Sequence, residues 1–140
     1  MNKVLCQVVC AGLMCGALMQ TGLSSAQSKG GGGKSDATTS VRIALTGAAI
    51  TSVKPEGHAD FRTRGTQRRL TVEVERVNLP DSMIVSALVN GNVVGMIKLI
   101  ARRGQLELNS KNGAAVPAVQ KGDIVTVTTS TGDTILSGTF

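Results

Sequence analysis

The chain has 140 residues, with 15 lysines and arginines against 9 aspartates and glutamates, and a formal net charge of +6. It contains no tryptophan or tyrosine, two phenylalanines, three cysteines and one histidine. This length suits a single domain. The composition excludes the large aromatic platforms that stack sugars or bases and metal sites built from several imidazoles. The modest positive charge is compatible with an anionic partner but does not require one.

Residues 1–26 are predicted to be a secretory signal peptide. Lys3 provides a positive charge, and Val4–Met19 is an apolar run without any charge. Ser24 and Ala26 are the small residues expected before a cleavage site. A retained membrane anchor is the alternative, but the apolar run is shorter than the roughly 20 residues that a membrane span needs. We therefore expect a periplasmic or secreted protein with no membrane span after cleavage.

All the cysteines lie inside this predicted signal peptide: Cys6, Cys10 and Cys15. A lipoprotein signal needs a small residue directly before the cysteine, whereas Met14 precedes Cys15. The mature chain is therefore expected to lack a lipid anchor, disulfides and thiolate chemistry.

Residues 27–40 are predicted to be a flexible linker rich in glycine and serine. The stretch SKGGGGKSD within it contains the Gly-Lys-Ser that closes a phosphate-binding loop. Such a loop also needs a glycine five positions before its last one, where Ser28 stands, and it must join a buried strand to a helix. Neither requirement is met, so nucleotide binding is not predicted.

From residue 41 to residue 140 the pattern is that of β-strands. Alternation places Val41, Ile43 and Leu45 on one face of a first strand. Leu70, Val72 and Val74 are likewise expected to face inward, with Thr71, Glu73 and Glu75 in water. Val77 and Leu79 break this alternation, which predicts a bulge before Pro80.

Turn residues divide the rest of the chain into hairpins. Asn90-Gly91 favours a tight hairpin turn, and a further turn at Arg103-Gly104 leads into a strand with Leu106 and Leu108 inward. The segment STGD, residues 130–133, separates the last two strands. About eight short strands with these turn signals predict an all-β fold, either a single antiparallel β-sandwich or a small Greek-key barrel.

The candidate chemical groups are sparse. His58 is expected to lie exposed near a turn at the start of a strand, and one histidine cannot form a copper or zinc site. Glu73 and Glu75 have the pattern of a solvated strand. Three aspartates at predicted turns should cap backbone amides: Asp81, Asp123 and Asp133. No catalytic residue, metal site or cofactor is predicted.

The strongest concentration of charge is the segment FRTRGTQRR. Arg62 and Arg64 are two residues apart and should project from one face of a strand, while Arg68 and Arg69 return on the next strand. Arginine forks suit phosphate, sulfate and carboxylate, so these four residues form the candidate ligand-binding site. The alternative is a solubilising edge that discourages association between sheets.

Several segments resemble an uncharacterised family of small exported bacterial β-sandwich proteins over roughly residues 43–140. They are VNLPD at 77–81, RGQLEL at 103–108, VPAVQKGD at 116–123 and SGTF at 137–140. The resemblance implies an exported domain but no particular activity. The family usually has glycine where this chain has Ser82, so the turn there is expected to be less permissive.

The sequence thus favours an exported, non-enzymatic binding or structural module of the bacterial cell envelope. Its expected partners are an anionic glycan, a lipid headgroup or an envelope protein, and the missing aromatic rings argue against nucleic acid. The alternative is a small extracytoplasmic hydrolase or redox enzyme that uses carboxylates not recognisable in the sequence. The pattern indicates no oligomeric state.

Overall fold

The computed structural model describes residues 37–140, and these form eight antiparallel strands, as predicted. The strands are β1 Thr38–Thr46, β2 Glu56–Arg64, β3 Gln67–Glu75, β4 Ile84–Val89, β5 Asn92–Lys98, β6 Gly104–Asn109, β7 Ile124–Thr128 and β8 Thr134–Thr139. A 3₁₀ turn, Ser110–Asn112, follows β6. The predicted signal peptide and most of the predicted linker, up to residue 36, lie outside the described residues. None of the helical segments within residues 37–140 has the length and apolarity of a membrane span.

The strands form one curled sheet in the order β5-β4-β7-β8-β1-β2-β3-β6. Its two terminal strands, β5 and β6, face each other without a hydrogen-bonded ladder. They meet through side-chain packing, because a Cβ added to Gly95 would lie 2.7 Å from a methyl group of Leu106. The sheet is therefore a nearly closed barrel, with a seam between β5 and β6.

The first strand begins at Thr38, three residues before the predicted start of the domain at residue 41. All nine residues of β1 pair with β2, from Thr38 opposite Arg64 to Thr46 opposite Glu56. The early start follows from this pairing, because the small polar residues before Val41 continue the ladder to the end of β2.

The core is aliphatic and follows the predicted alternation. Leu70, Val72 and Val74 are buried, while the residues between them on β3 are half-exposed. The described phenylalanines, Phe61 and Phe140, meet edge to face with ring centroids 6.5 Å apart.

The predicted bulge before Pro80 is wrong. Strand β3 ends at Glu75, and Arg76 adopts a left-handed conformation with φ of 57°. This single residue turns the chain and lets Val77 point into the core, where it is buried. A break in alternation can therefore mark a left-handed strand end as well as a bulge.

The turn predictions at Asn90-Gly91 and at two aspartates are confirmed. Asn90 and Gly91 both have positive φ, as a type I′ hairpin requires. Asp81 accepts the amide of Ala101 at 2.9 Å, and Asp123 accepts the amide of Gln120 at 2.8 Å. The third prediction, for Asp133, is wrong in its donor, as the last hairpin shows.

In that hairpin, Asp133 accepts a hydroxyl hydrogen bond from Thr131 at 2.7 Å. No backbone amide of the described residues donates to its side chain; instead its own amide donates to the hydroxyl of Thr129 at 3.1 Å. The threonine hydroxyls therefore take the place of the backbone donors that the aspartate was expected to cap.

Asn90 and Asp123 join the β4–β5 hairpin to the start of β7. The Asn90 amide group donates to one carboxylate oxygen of Asp123 at 2.9 Å, while its carbonyl oxygen accepts the amide of Ile124 at 2.9 Å. The hydrogen bond from Asn90, followed by that from the Gln120 amide, lowers the pKa of Asp123 below its ordinary value of 3.8. The carboxylate form therefore contributes to stability.

Replacing Asp123 by asparagine should lower the melting temperature at neutral pH. Both carboxylate oxygens accept hydrogen bonds, and an amide offers only one acceptor. Because the folded pKa is depressed, the stabilisation is present above pH 3.8 and is lost as the pH falls through the lower folded value. The difference between Asp123→Asn and the unmodified chain should therefore shrink in acid, as measured by thermal unfolding against pH. Asp133→Asn is the control, because the threonine hydroxyls that donate to Asp133 can rotate to suit an amide. A difference in melting temperature at Asp123 that does not change with pH would contradict this account.

Ser82 occupies a position that favours glycine, because its φ is 69°. Its amide donates to the carbonyl of Leu99 at 2.8 Å, which fixes this conformation. Ser82→Gly should raise the free energy of unfolding by roughly 0.5–1 kcal/mol, since removal of the left-handed penalty exceeds the entropic cost of glycine. Chemical denaturation would measure the change. Ser86→Gly, within β4, should instead lower stability by roughly 0.5–1 kcal/mol, and equal effects at both sites would argue against backbone strain at Ser82.

Candidate functional site

The four predicted arginines lie together at the tip of the β2–β3 hairpin. We call Arg62, Arg64, Arg68 and Arg69 the basic hairpin. All four line one open depression with a volume of about 330 Å³. The structure thus brings the predicted residues to one place.

They do not project from one face of the sheet, however. Arg62 lies directly opposite Arg69, and Arg64 follows on the same outer face. Arg68 lies opposite Thr63, and its side chain projects from the inward face of the sheet. Leu70, two residues further along β3, is buried in the core on that same face. The basic hairpin therefore presents cations on both sides of its tip.

Two of the four guanidinium groups are compensated by carboxylates. Arg62 donates two hydrogen bonds to Asp60, at 2.7 and 3.2 Å. This contact raises the pKa of Arg62, first through the hydrogen bond and then through the opposite charge. Arg69 donates to Glu107 of β6 at 2.8 Å. The carboxylates offset the repulsion expected between two arginines on opposite strands.

Arg64 and Arg68 are not compensated in this way. Neither side chain forms an ion pair or a hydrogen bond with another residue of the described range. The Arg68 backbone amide donates to the hydroxyl of Ser110 at 2.9 Å, which holds the strand but leaves the guanidinium group available. The local excess of positive charge therefore comes from these two residues.

His58 lies near the start of a strand, as predicted, but its expected exposure is wrong because the side chain is largely covered. His58 lies in β2 opposite Glu73, and its Nε2 atom is 2.7 Å from a carboxylate oxygen of Glu73. The side chain is only 23% exposed. Glu73 is likewise not simply solvated, because it forms this cross-strand pair on the outer face of the sheet.

The depression beside this pair has a volume of about 170 Å³ and also includes Asp60 and Thr71. Among residues 37–140 no ionisable side chain is buried. No group of three potential metal ligands occurs in that range. The chemistry carried by the outer face is thus the pairing of charges.

An apolar groove of about 340 Å³ lies near the basic hairpin and was not predicted. It is lined mainly by Val41, Phe61, Val119 and Phe140, with Lys121 at its margin. Val41 is 40% exposed although it belongs to the inward-facing series of β1. The available sequence signal was that the chain has two phenylalanines and no other aromatic residue. Nothing in the sequence, however, places residues so far apart in one groove.

The second arginine pair, Arg102 and Arg103, lies in the connection between β5 and β6. The Arg102 carbonyl accepts the amide of Val77 at 3.1 Å, which ties the connection to the end of β3. These arginines line a different depression from the basic hairpin, together with Arg76 and Val53. They provide a second cationic surface with which the first can be compared.

No protein-family model, curated protein or solved structure matches this chain. The resemblance to exported bacterial proteins therefore stays a prediction.

Proposed function

We propose that this protein is an exported, non-enzymatic binding module of the bacterial cell envelope that contacts an anionic partner through the basic hairpin. The partner classes are an acidic glycan, a lipid headgroup or an envelope protein. The observation that carries this proposal is the pair of uncompensated guanidinium groups, Arg64 and Arg68, at one open depression. Export depends on the predicted signal peptide at residues 1–26.

The chemistry of arginine supports an anionic ligand. A guanidinium group can donate two parallel hydrogen bonds to phosphate, sulfate or carboxylate, and it stays charged at any physiological pH. Exposed groups of this kind contribute little free energy each and are screened by salt. Binding should accordingly depend on ionic strength and on several simultaneous contacts.

The site is better suited to surface contact than to catalysis. An enzyme that used paired carboxylates would be favoured by a deep cleft with two buried acids. Within residues 37–140, the carboxylates are at least partly exposed, and Asp60, which is 13% exposed, is already paired with Arg62. These observations favour the binding module over the hydrolase or redox alternative.

Changing Arg64 and Arg68 to serine together should weaken binding to an anionic polymer. With fluorescein-labelled heparin as the probe, we expect the Kd to rise roughly fivefold, the order expected for two exposed ionic contacts. The matched control is Arg102→Ser with Arg103→Ser, which removes the same charge from another surface. Equal weakening in both variants would show that net charge alone governs binding and would overturn the role of the basic hairpin.

Releasing a compensated arginine should have the opposite effect. Glu107→Gln removes the carboxylate that holds Arg69, so a third guanidinium group becomes available. We expect a roughly twofold lower Kd for heparin. Glu75→Gln is the control because it changes the net charge equally, but at the opposite end of β3. A Kd lowered equally or further in the control would assign the gain to net charge and would contradict the release of Arg69.

A further inference from the structure

Strand β1 has one paired edge and one edge that is largely open. It pairs with β2 along all nine residues, whereas its ladder with β8 consists of Thr46 opposite Ser137. In the described part of the chain, no strand lies beside the N-terminal half of β1 on that side. This part of the edge is open because β8 ends at Thr139, whereas β1 extends beyond that level toward the basic hairpin.

The register shows which backbone groups face this open edge. The two-residue turn at the end of β2 is closed by Arg64 and Gln67, which exchange hydrogen bonds with each other. Even-numbered residues of β2 therefore bond to β3, and odd-numbered ones bond to β1. It follows that Ser40 and Arg42 direct their N–H and C=O groups away from β2.

A neighbouring contact agrees with this assignment. The carbonyl oxygen of Ala44, the next even-numbered residue, faces Gly138 of β8 closely. Beyond that point, no hydrogen bond joins the outward backbone groups of Ser40 or Arg42 to another described residue. The ladder from Thr38 to Thr46 contains no proline and no bulge, two devices that protect natural sheet edges.

The apolar groove lies directly beside this edge. Val41 belongs to β1, and Val119 and Phe140 form the other side. A strand added next to β1 would direct every second side chain toward the inward face. An apolar side chain of that strand would thus cover the groove, which has a volume of about 340 Å³.

The charges around the edge indicate the composition of the added strand. Two cations at this edge have no ion pair within the described range: Arg42, in β1, and Lys121, which lines the groove. Arg64 and Arg68 lie farther away, on β2 and β3. Arg42 and Lys121 favour acidic side chains in the partner. They disfavour a second copy of this chain, because antiparallel pairing of two β1 strands would bring like charges together.

We propose that β1 accepts an extended acidic segment of a partner protein as an additional strand. Main-chain hydrogen bonds to Ser40 and Arg42 provide the register, an apolar side chain fills the groove, and carboxylates meet the side chains of Arg42 and Lys121. This inference rests on the proposed function and specifies an envelope protein, rather than a glycan or a lipid, as its partner.

The test uses a fluorescein-labelled octapeptide of alternating valine and glutamate, with binding to the full chain followed by fluorescence anisotropy. Ser40→Pro removes an outward N–H group, and proline is tolerated at such edge positions. We expect this variant to bind the peptide roughly five- to tenfold more weakly. Ser40→Val keeps the N–H group and should bind like the unmodified chain. Thermal unfolding would verify that both variants are folded.

Three further peptides separate the contribution of backbone hydrogen bonds from that of charge. Methylation of alternate peptide nitrogens preserves charge and apolarity but removes backbone donors, so binding should be lost in one of the two methylation registers. A valine–lysine peptide should not bind. Unchanged affinity of Ser40→Pro, of both methylated peptides or of the lysine peptide would overturn the inference. Concentration-dependent dimers of the chain alone would do the same, because they would assign the edge to a second copy.

The outcome is distinguishable from that of the proposed function. Ser40→Pro leaves the basic hairpin intact and should not change the Kd for heparin. Loss of peptide binding in this variant with unchanged heparin binding supports strand addition. Heparin binding that depends on Arg64 and Arg68, combined with peptide binding insensitive to Ser40→Pro, would retain the proposed function and reject the added strand.

Discussion

The register of β2 against β3 is the constraint on which the rest of the structure depends. It is set by the tight turn at Gly65, whose positive φ of 58° suits a two-residue hairpin. A slip of one residue would exchange the faces of the strand, placing Thr71 rather than Leu70 in the core. The same register brings Arg62 opposite Arg69 and His58 opposite Glu73. Core packing and the arrangement of surface charge are therefore consequences of one turn.

Charge compensation decides which arginines are available to a partner. The outer face of the sheet contains both acids and bases, so some of its cations, such as Arg62 and Arg69, are held by neighbouring carboxylates. Arg64 and Arg68 have no carboxylate partner because they lie at the hairpin tip, whereas Asp60 pairs with Arg62 and Glu107 pairs with Arg69. A cluster of like residues in a sequence is thus a poor measure of free charge, and the position along the strand is a better one.

The sequence was informative where the physics is local. Alternation identified the buried series through Leu70 and Val72, and the Asn90-Gly91 pair identified its turn, because side-chain parity and φ preferences act over a few residues. It failed where partners are distant. Glu107 reaches Arg69 only after β6 pairs with β3, and no local pattern places His58 beside Glu73.

The apolar groove was missed for the same reason, since it joins residues from both ends of the described chain. The left-handed Arg76 was missed for a different one: its side chain has no strong preference for that conformation, which the packing of Val77 imposes. The candidate arginines were found, but their division into held and available groups required the fold.

The seam between β5 and β6 has a consequence for how the domain moves. Because Gly95 and Leu106 meet only through van der Waals contact, separating the terminal strands breaks no ladder, whereas parting β2 from β3 would break nine residue pairs. Amide hydrogen exchange should therefore be faster at this seam than in the ladder between β2 and β3. The seam is closed by Leu106 against Gly95 and by Gly104 against Ile97, and transient opening there would leave the charged β2–β3 hairpin undisturbed.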